Sequence, residues 1–296
     1  VSKKEPHVVY ALEPGEYVLH EEQAPTEQGY VRAEDVKFVV EETGDVQKVK
    51  MEDDHTKVSI SKTDITDGKE IEGAKLQILN QDGEVVESWT TGEEHLIEYL
   101  PIGTYTLHEE AAVDGYIVAN DVEFTVEETG EIQKVKMEDE RAMGQLVIVK
   151  TDTDSKTALE GVEFVLLEKE TGEEVGRLKT GKDGKAVSEL LPIGTYENGV
   201  FKEPITYVLK ETATLKGYEK TEEEWEIVFT YQNDKTPVIE VVKEIQNKKI
   251  PETPGTVKPG PKTGDDTNWF LPLLALGVSA GMVAGLLYYR KRHKKA

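Results

Sequence analysis

The chain has 296 residues, 37% of them hydrophobic, which is enough to bury cores of ordinary size. Its formal net charge of -24 excludes nucleic acid and anionic membrane surfaces as partners of the folded part, and reads first as solubility. Cysteine is absent, so neither disulfides nor thiolate-metal sites can brace the fold.

Val1 to Val9 contain no basic region followed by an apolar run, so no signal peptide is visible. Leu12 to Asp53 then matches Leu100 to Asp139 almost residue for residue, with Asp35-Val-Lys-Phe38 against Asp121-Val-Glu-Phe124. Strands that precede Leu100 in the second copy have no counterpart before Leu12. The expectation is therefore that residues 1–54 are the C-terminal part of a truncated domain.

Residues 55–140 and 141–250 read as two complete units. Val58-Ser-Ile60-Ser-Lys62-Thr-Asp64 and Leu146-Val-Ile148-Val-Lys150-Thr-Asp152 are period-2 strands ending in turn residues. A second apolar strand follows each, Ala74 to Leu79 and Val162 to Leu167. Gln81-Asp-Gly83, Lys182-Asp-Gly184 and the Pro-Ile-Gly-Thr-Tyr segments at Pro101 and Pro192 punctuate the further strands. Helical periodicity is hard to find before Trp269. Many short strands with turn signals predict an all-β fold of tandem immunoglobulin-like β-sandwiches. The third unit carries an insertion, Glu197 to Thr206, in which Asn198-Gly199 predicts a hairpin.

Residues 251–263 are Pro-rich, too poor in apolar surface for a core, and suit an extended linker. Trp269 to Tyr289 is uncharged and long enough to span a bilayer as one C-terminal transmembrane helix. The basic run Arg290 to Lys295 belongs on the cytoplasmic side.

The chemistry lies in polar residues placed on strand faces that should be core. Tyr105, Leu107 and Glu109 alternate, so on a strand all three point the same way, and Tyr17, Leu19, Glu21 and Tyr207, Leu209, Glu211 repeat the pattern. Lys62 continues the parity of Val58 and Ile60, as Lys150 continues that of Leu146 and Ile148. At the other end of each unit Asp139 follows Val135 and Met137, Asp53 follows Val49 and Met51, and Asn247 follows Ile245. Each complete unit thus directs a Lys, a Glu and an Asp or Asn into one interior. A single strand-end Lys or Glu ordinarily carries its charge to solvent. Three residue types in register in two units call for another explanation.

Burial favours a neutral amine and a protonated carboxyl. A nucleophile, a carbonyl carbon and an acid held together can form an intramolecular amide, with Glu relaying protons; water leaves from Asp and ammonia from Asn. No external enzyme is needed, and the set is consumed by its single turnover, so the chain is not read as an enzyme.

These residues carry a resemblance. Tyr-x-Leu-x-Glu followed by Gly-Tyr, Ala24-Pro25 in the first unit, Lys-Thr-Asp after the first strand and the terminal Asn247-Lys248 are similar to the Cna B-type, or SpaA-like (prealbumin-like), domains of Gram-positive surface proteins and pilins. The resemblance implies that Lys62 bonds Asp139 with Glu109 assisting, and Lys150 bonds Asn247 with Glu211 assisting. Glu21 and Asp53 are then left without a lysine of their own unit. Ala-Pro becomes Ala112-Val113 and Thr214-Leu215 in the later units.

Residues 260–296 resemble a sortase sorting signal: Pro261-Lys262-Thr263-Gly264, an apolar span and a basic end, with Gly260 where the family pattern has leucine. That implies a sortase transpeptidase and peptidoglycan as partners, a secreted, wall-anchored location, and a transient or retained membrane span. The whole then reads as a rigid surface stalk displaying upstream adhesive domains. The alternatives are an adhesin or minor pilin that binds a host or matrix ligand directly, or a plain membrane-anchored stalk.

Other candidates carry less. Asp152-Thr-Asp154-Ser-Lys156 begins like a calcium loop but puts Lys at a ligand position and lacks the closing Glu. His20 and His108 alternate with inward leucines and so face solvent, with no partner spaced for a metal. No cofactor, nucleotide site or hydrolytic triad is indicated.

Overall fold

The computed structural model describes residues 6–252. Most of the linker, the Pro261-Lys262-Thr263-Gly264 motif and the Trp269 to Tyr289 stretch lie outside the described residues. Among the described residues the only helix is one 3-10 turn, Thr26–Gln28, and none is long and apolar enough to cross a membrane.

The fold is all-β. In the second unit one sheet runs in the order Tyr116–Ile117, Ile132–Arg141, Lys57–Asp64, His95–Glu98. The other runs Val122–Val126, Gly103–Ala111, Lys75–Leu79, Val85–Thr90. Neighbours are antiparallel except Lys57–Asp64 and Ile132–Arg141, the first and last long strands of the unit, which pair in parallel. Val58, Ile60 and Met137 from one sheet meet Leu76, Ile78 and Leu107 from the other in a shared core. Burying such a side chain contributes about 1.5–3 kcal/mol relative to leaving it exposed.

The third unit repeats the plan. Met143–Asp152 pairs in parallel with Val238–Asn247, and Glu163–Glu168 and Thr206–Ala213 form the centre of the facing sheet. Alternation is clean along Met143–Asp152, where Leu146, Ile148 and Lys150 face inward with no exposure at all. Phe164, Leu166, Leu209 and Ile227 close the core from the other side.

Among its described residues the first unit has two short ladders, Gly15–Leu19 with Val36–Val40 and Tyr30–Val31 with Asp54–His55. Here the structure differs from the strand expected through Val49, Met51 and Asp53: residues 41–53 form no strand, and Asp53 is exposed. The physical reason lies in the complete units, where the last long strand is held by parallel pairing to the Lys-bearing strand. Among the described residues the first unit supplies no such partner.

The insertion is a hairpin, Gly194–Glu197 with Val200–Pro204, turned at Asn198 (φ 52°) and Gly199 (φ 68°) as an Asn-Gly pair favours. Its tip meets the second unit: a Cβ on Gly199 would lie 2.2 Å from the Glu70 carbonyl oxygen. Tyr196 donates to the Gly115 carbonyl at 2.8 Å, and the Arg141 guanidinium sits 4.1 Å above the Tyr196 ring. Gly115 itself has φ 88°, and a Cβ there would come within 2.7 Å of Phe201. The hairpin thus forms part of the joint between the second and third units.

Candidate functional site

The parallel register creates the site. Lys62 pairs with Met137 and Asp64 with Asp139, so Asp139 sits two residues along the same face, within reach of a lysine side chain. Gly103–Ala111, in the opposing sheet, brings Glu109 down onto them. The Lys62 and Glu109 side chains are 1% and 0% exposed, and Asp139 is fully buried.

Lys62 Nζ donates to Asp139 Oδ1 and lies 3.0 Å from Glu109 Oε2. Glu109 is held in place by the backbone N–H of Ala119, which donates to Oε2 at 2.6 Å. Glu109 Oε1 and Asp139 Oδ2 are buried without a hydrogen-bond partner, one free oxygen on each carboxyl. Burial, with the Glu109 carboxyl adding to it against the opposing pull of Lys62, pushes Asp139 up to about 7. Burial in this position thus favours the neutral acid form of Asp139.

In the third unit Lys150 Nζ donates to Asn247 Oδ1 at 2.5 Å and lies 3.0 Å from Glu211 Oε2. The latter contact is an ion-pair distance without hydrogen-bond alignment, for Glu211 Oε2 has no hydrogen-bond partner. Asn247 Nδ2 donates to Glu211 Oε1 at 2.7 Å and to Thr214 Oγ1 at 2.7 Å. Burial lowers the Lys150 pKa against the raising effect of Glu211, which favours the unprotonated, nucleophilic amine. In both units an amine faces a side-chain carbonyl with a carboxyl between, in a site closed to water.

In the first unit Glu21 keeps its posture, accepting from Ala33 N at 2.8 Å as Glu109 does from Ala119. Desolvation and then the Glu21 carboxyl raise the Asp53 pKa, and among the described residues no lysine joins the pair.

Several residues gain roles that pattern alone did not give. The motif tyrosine anchors its strand to the segment before it: Tyr17 donates to the Glu13 carbonyl at 2.9 Å, Tyr105 to Pro101 at 2.9 Å and Tyr207 to Pro192 at 2.7 Å. The tyrosine of the Gly-Tyr pair holds the end of the Lys-bearing strand, with Tyr116 donating to Asp64 at 2.8 Å beside Arg141 at 2.6 Å. Burial opposes it, but hydrogen bonds from Thr66 N, Tyr116 and Arg141 hold the Asp64 carboxyl below its usual range. Asp152 caps its own turn by accepting from Asp154 N and Ser155 N, which accounts for the calcium-like spelling there. Thr214 was signalled only as a departure from Ala-Pro. Among the described residues no group of three or more His, Asp or Glu converges as a metal site.

Comparison with known proteins identifies the family of the fold. The family model described as SpaA, prealbumin-like fold domain, matches residues 56–141 and 144–245. The chain belongs to the SpaA prealbumin-like domain family. Among solved structures, the Bacillus anthracis TIE protein is 30% identical over 80% of this chain, with a TM-score of 0.49. The match spans 42% of that protein's length. A streptococcal ancillary pilin is 19% identical, covering 81% of this chain and 77% of its own, TM-score 0.30. GBS52, a minor pilin of Streptococcus agalactiae, is 20% identical over 69% of this chain and 100% of its own, TM-score 0.29. No curated protein matches the chain. Its two matched SpaA domains are the two units that contain a lysine facing an Asp or Asn.

Proposed function

We propose that this chain is a stalk segment of a Gram-positive surface protein, and that each complete SpaA domain is closed by an internal isopeptide bond, Lys62 to Asp139 and Lys150 to Asn247. The observation that carries the reading is the burial of an amine against a side-chain carbonyl, with a glutamate beside both, in two domains of different local sequence. As plain ion pairs these clusters are costly, because desolvating charges offsets much of their attraction. Amide formation removes the charges.

In the second domain a proton passes within the cluster, leaving a neutral Lys62 amine and the acid form of Asp139. Nζ adds to Cγ, the proton lost from nitrogen passes through Glu109 to the departing oxygen, and one water leaves. In the third domain the same addition to Asn247 ends with cleavage of the Cγ–Nδ2 bond, and Glu211 carries the proton to nitrogen, which leaves as ammonia. Preorganisation supplies the effective molarity.

The tail completes the proposal: a sortase cuts between Thr263 and Gly264 and transfers the chain to peptidoglycan, leaving domains upstream of the stalk to meet host or matrix ligands. The test of the bonds is digestion of the purified full chain and sequencing of branched peptides. Peptides joining Lys62 to Asp139 and Lys150 to Asn247 are expected; recovery of all four as linear peptides alone overturns the proposal.

A further inference from the structure

The two clusters differ at one position that tracks the chemistry of the acceptor. Three residues after the glutamate stands Thr214 in the third domain, Ala112 in the second and Ala24 in the first. The third domain's acceptor is an amide and the second domain's a carboxyl; Asp53, the matching carboxyl of the first unit, is exposed and faces no lysine among the described residues. From this geometry we infer that Thr214 is the leaving-group residue of the Asn-type site, orienting the Asn247 amide and holding the nitrogen that departs. The inference rests on the isopeptide reading and specifies it further.

The physical argument is a count of donors. A buried amide nitrogen carries two N–H groups, and each left without an acceptor costs free energy. Glu211 Oε1 takes one at 2.7 Å and Thr214 Oγ1 the other at 2.7 Å, while Oδ1 receives Lys150 Nζ at 2.5 Å. Turned by half a revolution, the amide would set Nδ2 against the Lys150 amine, donor against donor, and place its carbonyl oxygen against the glutamate. With all three partners in place, Oδ1 faces the nucleophile and Nδ2 faces the proton carrier. A carboxylic acid presents at most one donor, so the Asp-type site has no need of a second acceptor. Asp139 Oδ2, the atom corresponding to Nδ2, indeed has no partner.

The step balances as an amide exchange. The Nζ–Cγ bond forms, the Cγ–Nδ2 bond breaks, and the proton shed by Nζ travels through Glu211 to Nδ2, giving one isopeptide and one ammonia. The hydroxyl of Thr214 accepts from Nδ2 before addition. As the tetrahedral intermediate forms it goes on holding that N–H, so the one lone pair that appears on the nitrogen is left to take the proton from Glu211.

The experiment is a pulse-chase of the full chain: label during synthesis, quench samples in hot denaturant, digest, and follow the Lys150–Asn247 branched peptide over time. The Lys62–Asp139 peptide in the same samples is the internal control for folding. Thr214→Ala is expected to slow the Lys150–Asn247 bond roughly tenfold, the scale of one lost buried hydrogen bond, with the control unchanged. Thr214→Ser should restore the rate to within about twofold, since it keeps the hydroxyl. Alanine is the resident of this position in the second domain, so the variant backbone is tolerated. In a Lys150→Ala background, where no bond can form, any fall in the third domain's melting temperature on Thr214→Ala measures the structural share of the lost hydrogen bond by itself, and the loss of rate is read against it. The transplant is the reciprocal arm: Asp139→Asn should react slowly in the second domain, and Ala112→Thr added to it should recover the rate with release of ammonia. Equal rates for Thr214→Ala and wild type, or no gain from Ala112→Thr, overturn the inference while leaving the isopeptide reading intact. A wild-type chain without the Lys150–Asn247 peptide overturns both.

Discussion

Lys62 and Asp139 are 77 residues apart in sequence and meet in the core because the first and last long strands of their domain lie side by side in parallel. Parallel neighbours cannot be joined by a tight turn, so the rest of the domain lies between them in sequence. A covalent link at this place would close nearly the whole domain into a loop and join its first and last long strands.

Loop closure gives the first prediction. Lys150 and Asn247 are 97 positions apart, and in the chain-entropy account a cross-link of that span stabilises by about 4.7 kcal/mol. Lys150→Met keeps the apolar stem and removes the nucleophile. Calorimetry should show the third domain unfolding at a markedly lower temperature while the second is unaffected; an unchanged midpoint would exclude a link there.

The second prediction is a contrast in pH dependence. Asp139 in the unreacted second domain is pushed up to about 7 by burial, with Glu109 adding to it against Lys62, from about 3.9 in an unfolded chain. A raised folded-state pKa means that this group's stabilising contribution is full below the unfolded value and is lost as pH rises through about 7. The same titration removes the neutral acid that accepts the amine. Formation of the Lys62–Asp139 bond in pulse-labelled chain should therefore slow above about pH 7. The Asn247 site, whose acceptor does not titrate, should show no such decline, and parallel profiles for the two bonds would contradict the assignment.

The third prediction concerns the joint between the second and third domains. Gly115 has φ 88° and its Cα faces Phe201 and Tyr196 of the inserted hairpin. Gly115→Val meets both the left-handed backbone and the ring of Phe201. Strain of this kind costs on the order of 1–3 kcal/mol. Limited proteolysis near Arg141 and Ala142 should accelerate, whereas the same substitution at Gly172, where nothing lies within 4 Å of a Cβ, should not have that effect on the joint.

A fourth prediction follows from the tail. Thr263→Ala should shift the protein from the wall fraction to the detergent-extractable fraction in a sortase-bearing host. A wild-type protein that is already detergent-extractable, and unchanged by the substitution, would be a membrane-anchored stalk.

How much of this was legible in the sequence can be judged residue by residue. Period-2 alternation put Lys62 with Val58 and Ile60, and Lys150 with Leu146 and Ile148, because strand parity is a local property. The same rule failed at Val49, Met51 and Asp53, where parity was present but the parallel partner strand was not, and a strand needs its ladder as much as its pattern. Thr214 was hidden for another reason. Its hydroxyl reaches Asn247 across the two sheets, and nothing local marks a threonine after a strand as an acceptor for a residue 33 positions away. The hold of Tyr116 and Arg141 on Asp64 is likewise a product of tertiary contact, in which the ends of three strands of the second domain come together.

The most direct measurement is the intact mass of the denatured full chain, purified from a host without sortase. The account predicts a mass below that of the sequence by one water and one ammonia, with Glu109→Ala restoring the water and Glu211→Ala the ammonia. A wild-type mass equal to that of the sequence would contradict it.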